Sequence, residues 1–369
     1  MGRGPSAGRR EPEVTDQSGA TPARSIGPLV AMVVVTLASV WYVASQTNFA
    51  ELRQAFAEMR LIVVLPFLLT LAAFYWLKTR RWRLLLWPLG RFRFAQLWPS
   101  LMAGFAFNNL LPAHLGEFVR MAAFSRQSGL PKGSVLSTIA LERLFDVLAI
   151  LLFLSVGLLG VDGVDSTVRQ GGIVFLVASV GLLAGSIWYV FDTDRVIAVV
   201  ATVLGRLPVP NGVVDRVIGL AESGAVGLAA LRQPALLLQI GLNSLLQWAL
   251  NGIMIWLSLW SFGVTVSPAV AALVLAAVAF GVTLPSTPGY FGVLQGAFVL
   301  AMSGLPDFES QRGQVVAASI AYHAMQWVPV TAVGLYGFRR SGLTRAELTT
   351  DALPAATDSG QTGNPSHER

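Results

Sequence analysis

The sequence predicts an all-α polytopic membrane protein, and three observations carry that prediction. Only 12% of its 369 residues are charged and 54% are hydrophobic, whereas a soluble domain carries about 25% charged residues. The mean hydropathy is +0.62. The apolar residues fall in runs long enough to cross a bilayer, which takes about 20 residues per helix, and the basic residues cluster at the ends of those runs. About six to eight transmembrane helices are expected, with one or two re-entrant hairpins. The formal charge of +6 is that of cytoplasmic membrane flanks rather than of a nucleic-acid surface. With no cysteine, disulfides, thiol nucleophiles and thiolate metal sites are excluded.

Residues 1–25 and 341–369 are polar and rich in Gly and Pro, and read as disordered cytoplasmic tails around a membrane domain at 26–340. The run Ile26–Ser45 follows a polar leader and lacks a small-x-small cleavage site, so it is expected to persist as the first span. Further spans are expected near 61–78, 134–160, 171–191, 235–260 and 314–338, with shorter apolar pieces at 94–111, 268–284 and 290–305. The basic groups are Arg3–Arg24, Lys78–Arg93 (Lys78, Arg80, Arg81, Arg83, Arg91, Arg93), Arg120–Lys132, Arg195–Arg232 and Arg339–Arg345. Placed together on the cytoplasmic side, they put both termini inside.

That orientation constrains the short pieces. With Arg93 and Arg120 both inside, 94–119 enters from the cytoplasm and returns around Asn108–Pro112. The pieces 268–284 and 290–305 lie between an uncharged loop and an acidic one (Asp307, Glu309), and either form a hairpin from outside or span twice. The hairpin version makes the two halves an inverted repeat, with Leu111–Glu117 (LPAHLGE) facing Leu284–Gly289 (LPSTPG). Both stretches break helix with Pro and Gly, at Pro112 and Gly116 and at Pro285, Pro288, Gly289 and Gly292. Broken backbone at membrane depth survives only in protein or against a wet cavity, and a pair of breaks in the two halves marks a transporter's binding site. The helix restarted after each break offers N-terminal amides to an anion.

The span 134–160 carries Glu142, Arg143 and Asp146 in an apolar setting. Glu142 lies about 15 Å along the axis from Lys132, and each charge there costs roughly 2.5–3.5 kcal/mol. Glu142 and Asp146 share a face, and Arg143 reaches Asp146 at i,i+3. Two readings follow: an internal ion pair that fixes helix packing, or a polar substrate path with Arg143 on a phosphate and a carboxylate carrying charge or a proton. In the first break, Glu117 and Arg120 are spaced i,i+3, with His114, Asn108 and Asn109 as donors; the plain alternative is a surface pair at the interface.

Asn243, Gln247 and Asn251 form a polar stripe at i, i+4 and i+8, which serves interhelical hydrogen bonding or a cavity lining. The last span carries Tyr322, His323 and Gln326. The three His residues, at 114, 323 and 367, have no metal-ligand spacing, and no metal or cofactor is expected. Asp192-Thr193-Asp194 has the D-x-D form of some transferases but sits where a helix cap belongs.

The stretch Asn108–Asp146 (NNLLPAHLGEFVR…SGLPKG…ERLFD), followed by Leu284–Gly296 (LPSTPGYFGVLQG) and a His-bearing last span, resembles the flippase-like transmembrane family of the lysylphosphatidylglycerol synthases. The resemblance covers roughly residues 26–340. It implies a multi-pass protein of the bacterial inner membrane that moves a phospholipid or a polyprenyl-phosphate-linked lipid between leaflets. The aminoacyl-transfer domain of those synthases has no counterpart in this sequence, so lysyl transfer is not expected. Gln295 stands where relatives often carry Glu, which leaves any proton coupling to Glu117, Glu142 or Asp146. On this reading Arg120 and Arg143 meet the lipid phosphate, and Gln295, Gln247, Asn251 and His323 line the cavity. The rival readings are a membrane-embedded enzyme using Glu142 and Asp146 as acid and base, and a subunit presenting lipid to a glycosyltransferase or other lipid-modifying partner.

Overall fold

A computed structural model describes residues 48–111, 114–161, 166–206, 233–283 and 288–340, with isolated helical positions at 212 and between 34 and 45. The expected tails, most of the first span, and the break residues Pro112 and Pro285 lie outside the described residues. Every regular element of the described part is a helix. Its elements are α1 (Phe49–Ala57), α2 (Val64–Leu85, entered by a 3-10 turn at Leu61–Val63), α3 (Phe94–Leu110), α4 (Gly116–Ser128), α5 (Lys132–Gly160) and α6 (Ser166–Phe191). Then come α7 (Thr193–Arg206), α8 (Pro234–Ser261), α9 (Pro268–Thr283), a 3-10 turn at Pro288–Tyr290, α10 (Val293–Met302) and α11 (Phe308–Arg340).

Three stretches, Leu61–Leu85, Lys132–Gly160 and Pro234–Ser261, are long and apolar enough to cross a bilayer. Their outward residues are apolar: Leu65, Leu69 and Trp76 on α2 and Leu238, Leu242 and Leu246 on α8 are exposed. That is how a helix meets lipid rather than water. The inward face of α2 runs Phe67, Leu71, Phe74, Lys78, Arg81, Trp82 and Leu85, a three-and-four spacing. The span expected to end at residue 78 therefore continues for two more turns, and Lys78 and Arg81 leave the cytoplasmic flank for the core. Arg80 is only half-buried and Arg83 is exposed. The helical period separates the two pairs.

Both short regions fold as helical hairpins, α3–α4 and α9–α10, each packed against itself across its break. The first helix of each also packs extensively on a long helix of the opposite half: α3 on α11, and α9 on α5. Small residues allow the approach. A Cβ on Gly116 would strike the carbonyl oxygen of Gly104 and the amide of Asn108, so only glycine lets α4 start against α3. Gly334 and Gly337 of α11 press in the same way on the Met102 and Pro99 carbonyl region of α3.

The breaks share a further feature. His114 (φ 56°) and Tyr290 (φ 58°) are the only non-glycine residues with positive φ among those described, and their rings lie 5.8 Å apart. Such a conformation costs of order 1–3 kcal/mol and persists only where the surroundings impose it. The two hairpin tips therefore meet at one place, and the strain is concentrated there.

Candidate functional site

Seven charged side chains from three helices meet beside the first hairpin. Glu142 of α5 takes Arg120 Nη2 of α4 at 2.8 Å, Arg81 Nη2 of α2 at 3.2 Å and Lys78 Nζ at 3.8 Å. Asp146, one turn further on, takes Arg81 Nη1 at 2.8 Å, Lys78 Nζ at 3.4 Å and Arg143 Nη1 at 3.4 Å, and accepts the Trp248 indole N–H of α8 at 3.0 Å. Arg81 also donates to Ser244 Oγ at 2.9 Å. The Arg120 guanidinium lies 3.8 Å from the centre of the Trp82 ring, whose N–H donates to Thr138 at 3.1 Å. Arg143 Nε reaches Glu117 at 2.8 Å. Isolated charges at this depth would be untenable, and mutual pairing is what makes their burial tolerable.

The two readings of Glu142, Arg143 and Asp146 divide by residue. Glu142 and Asp146 are closed inside the helix packing, at 0% and 3% exposure, and serve the ion network. The Arg143 side chain is 40% exposed and lines a cavity. Arg120, expected to meet a phosphate or else to sit at the interface as a surface pair with Glu117, does neither: it is 2% exposed and committed to Glu142. Glu117 and Arg120 point to different partners on α5, because the close approach at Gly116 turns the first-turn residue Glu117 toward Arg143.

The cavity, of about 200 Å³, opens where the hairpin tips meet. Asn108, Asn109, His114 and Arg143 line it from the first half, and Asn251, His323 and Gln326 from the second. Aromatic rings of Tyr75, Phe105, Trp248, Tyr290, Tyr322 and Trp327 complete its wall. Asn109 donates to Thr331 at 2.9 Å and Tyr322 to Asn251 at 2.5 Å, so two of the expected lining residues are fixed by partners on α11. Among the expected lining residues, Gln295 lies on the apolar groove rather than on this cavity, and Gln247 lies on neither. It is fully buried and hydrogen-bonded to Asn243, so the polar stripe of α8 packs at Asn243 and Gln247 and reaches the cavity only at Asn251.

A second, apolar groove of about 490 Å³ adjoins this cavity and is lined by Val40, Phe49, Phe291, Ile320, Ala324 and Val328 among others. His323 and Trp327 belong to both walls. On the groove side, Gln295 hydrogen-bonds His323 Nδ1 at 3.1 Å, and Phe291 packs on the His323 ring at 4.8 Å. The partition between polar and apolar space is thus one helix face and the turn before α10, where Gly289 (φ 80°) and Gly292 (φ 81°) supply the left-handed backbone.

Some of the amides expected to face an anion at the restarted helices are already engaged. Glu117 and Phe118 donate to the carbonyls of His114 and Leu115, and Gly292 donates to Gln295 Oε1 at 2.9 Å. Asp192, the first residue of the D-x-D, accepts from the Arg195 amide at 3.4 Å and pairs with its guanidinium at 3.1 Å, as a cap of α7. Among the described residues there is no group of three His, Asp or Glu side chains with metal-holding geometry. Lys78, Arg81, Tyr290 and Trp327 are among the site residues that the motif reading missed. The apolar spacing of α2 held the signal for the first two; the others follow from the meeting of the two breaks.

A family model described as the lysylphosphatidylglycerol synthase TM region matches residues 26–334. Glycosyltransferase AglD of Haloferax volcanii is 27% identical over 296 residues, covering 68% of this chain and 46% of that protein. The chain thus spans about half the length of this curated relative.

Proposed function

Starting from the fact that the chain belongs to the lysylphosphatidylglycerol synthase TM-region family, we propose that it moves a lipid between membrane leaflets. The head group of an anionic phospholipid or polyprenyl-phosphate-linked lipid passes through the polar cavity while its hydrocarbon chain lies in the apolar groove. The observation that carries this reading is the shared wall: a polar cavity and an apolar groove divided only by His323, Trp327 and their neighbours. An amphipathic substrate needs both spaces side by side. Arg143 meets the lipid phosphate, since it is the charged member of the network that faces the cavity. Glu117 holds Arg143 until an anion competes for it, and any proton coupling falls to Glu117, because Glu142 and Asp146 are locked among cations. The same locking argues against an enzyme using those two carboxylates as acid and base.

The two hairpins are re-entrant on this reading, and the protein lies in the bacterial inner membrane with both termini in the cytoplasm. The Arg120–Glu142 contact supports the first hairpin: Arg120 is two turns from the end of α4 and Glu142 lies ten residues into α5, about 12 and 15 Å along their axes. The pair is level only when α4 climbs into the membrane alongside α5.

The test is reconstitution into liposomes holding fluorescent anionic, zwitterionic or polyprenyl-phosphate lipids, quenched from outside with dithionite. Wild-type protein should remove the protected inner-leaflet fraction, and Arg143→Ala should restore it while remaining folded, because Asp146 keeps Lys78 and Arg81. Unchanged protection with every lipid, in folded wild-type protein, would sink the reading. A second reading, a membrane region that serves a glycosyltransferase partner, is favoured by the name of the Haloferax relative and by the 46% of it that this chain spans. Co-purification of such an enzyme would support it.

A further inference from the structure

We infer that the head group received by the cavity is a glycosyl phosphate carrying a single sugar ring, an inference that rests on the translocation reading above. The charge pattern argues first. Among the described residues Arg143 is the one Lys, Arg, Asp or Glu side chain lining the cavity, and it is already shared between Glu117 and Asp146. One anionic group has a place there. An amine has no lining carboxylate to meet it, which disfavours aminoacyl and ethanolamine head groups.

The unsatisfied groups argue second. Trp327 Nε1 is a buried donor and Asn108 Oδ1 a buried acceptor without a partner among the described residues; both residues line the cavity. Leaving such groups unpaired costs about 1–3 kcal/mol each. A bare phosphate takes donors and leaves the acceptor unmet, whereas a hydroxyl gives and takes together. An unpaired donor and an unpaired acceptor lining one cavity match a polyol.

The aromatic wall argues third. The rings of Trp248, Tyr290, Tyr322 and Trp327 line the same cavity as the amides of Asn108, Asn251 and Gln326. Flat apolar faces with polar edges suit a ring whose faces are C–H and whose rim is O–H. The volume, about 200 Å³, is below the roughly 300–1,000 Å³ of sites for drug-sized ligands. It accommodates one sugar rather than an oligosaccharide.

The experiment uses the full chain in sealed proteoliposomes. It measures uptake of radiolabelled short-prenyl phosphoryl-glucose and phosphoryl-mannose against the same prenyl phosphate without sugar, with acyl-labelled phosphatidylglycerol and phosphatidylethanolamine followed in parallel by dithionite. At least one phosphoryl-hexose should be taken up faster than the sugar-free phosphate and both phospholipids. Trp327→Phe should lower that uptake by roughly 2–10-fold, the worth of one neutral hydrogen bond, and by more than it lowers uptake of the sugar-free phosphate. Equal transport of phosphatidylglycerol or prenyl phosphate would overturn the sugar inference and leave translocation standing. If no lipid moves, translocation falls, and thermal stabilisation in detergent decides the site: phosphoryl-hexose must stabilise the protein more than prenyl phosphate, and equal effects overturn the inference.

Discussion

Replacing Glu142 by Gln should destabilise the protein far more than replacing its partner Arg120 by Met. The cluster holds four cations, Lys78, Arg81, Arg120 and Arg143, against three carboxylates, Glu117, Glu142 and Asp146, and so carries a formal excess of one positive charge. Glu142→Gln removes the carboxylate that holds three of those cations at 2.8, 3.2 and 3.8 Å. At an effective dielectric of about 20 each attraction is worth roughly 4–6 kcal/mol before desolvation. After the desolvation of the lost carboxylate is recovered, the net loss is about 3–5 kcal/mol, the usual result of leaving buried charge unpaired. Arg120→Met instead brings the cluster to neutrality and leaves Glu142 with Arg81 and Lys78. Its cost is the packing and ring contact with Trp82, about 1–3 kcal/mol. The assay is thermal unfolding of purified protein in one fixed detergent, followed by intrinsic fluorescence. At about 2–4 °C per kcal/mol, Glu142→Gln should lower the midpoint by roughly 6–20 °C and Arg120→Met by clearly less. Equal shifts, or a larger one for Arg120→Met, would refute the charge count and with it the account of why the network is buried.

Three further outcomes follow from the packing. Gly116→Ala must push α4 off the Gly104 carbonyl; overpacking of this kind costs about 1–3 kcal/mol, and the midpoint should fall even though Ala favours helix. Ala324→Trp places a large ring in the apolar groove and should slow lipid translocation without lowering the unfolding midpoint, both read on one preparation. Asn251→Leu should impair translocation, because Asn251 lines the cavity and holds the Tyr322 hydroxyl. Gln247→Leu, one turn away and buried outside the cavity wall, should leave transport within about 2-fold of wild type, the lower limit of one lost hydrogen bond; equal losses in the two variants would argue that the α8 stripe acts as a unit.

The pairing across the centre shows where sequence reading stopped. Composition and run length were enough for an all-helical membrane protein, because a bilayer imposes helix length and apolarity on each segment by itself. Pro and Gly marked both breaks for an equally local reason: they cannot continue a helix, whatever surrounds them. Charge at positions 142, 143 and 146 was visible as an anomaly, yet its meaning was not. Glu142 and Asp146 lie inside the bundle and Arg143 at the cavity because three other helices approach α5 from particular sides, and no local spacing encodes those approaches. Lys78 and Arg81 resembled membrane flank until α2 proved to run to Leu85 with both on its packed face. Arg120 read as a phosphate ligand until Gly116 and Gly104 brought α4 against α3 and its guanidinium onto Glu142. The sequence alone determined what each segment is, since helix, break and solvent preference depend on neighbours in the chain. Which charges neutralise one another, and which single arginine is left facing an open space, only the tertiary structure decided, since those depend on residues tens to hundreds of positions apart meeting within 4 Å.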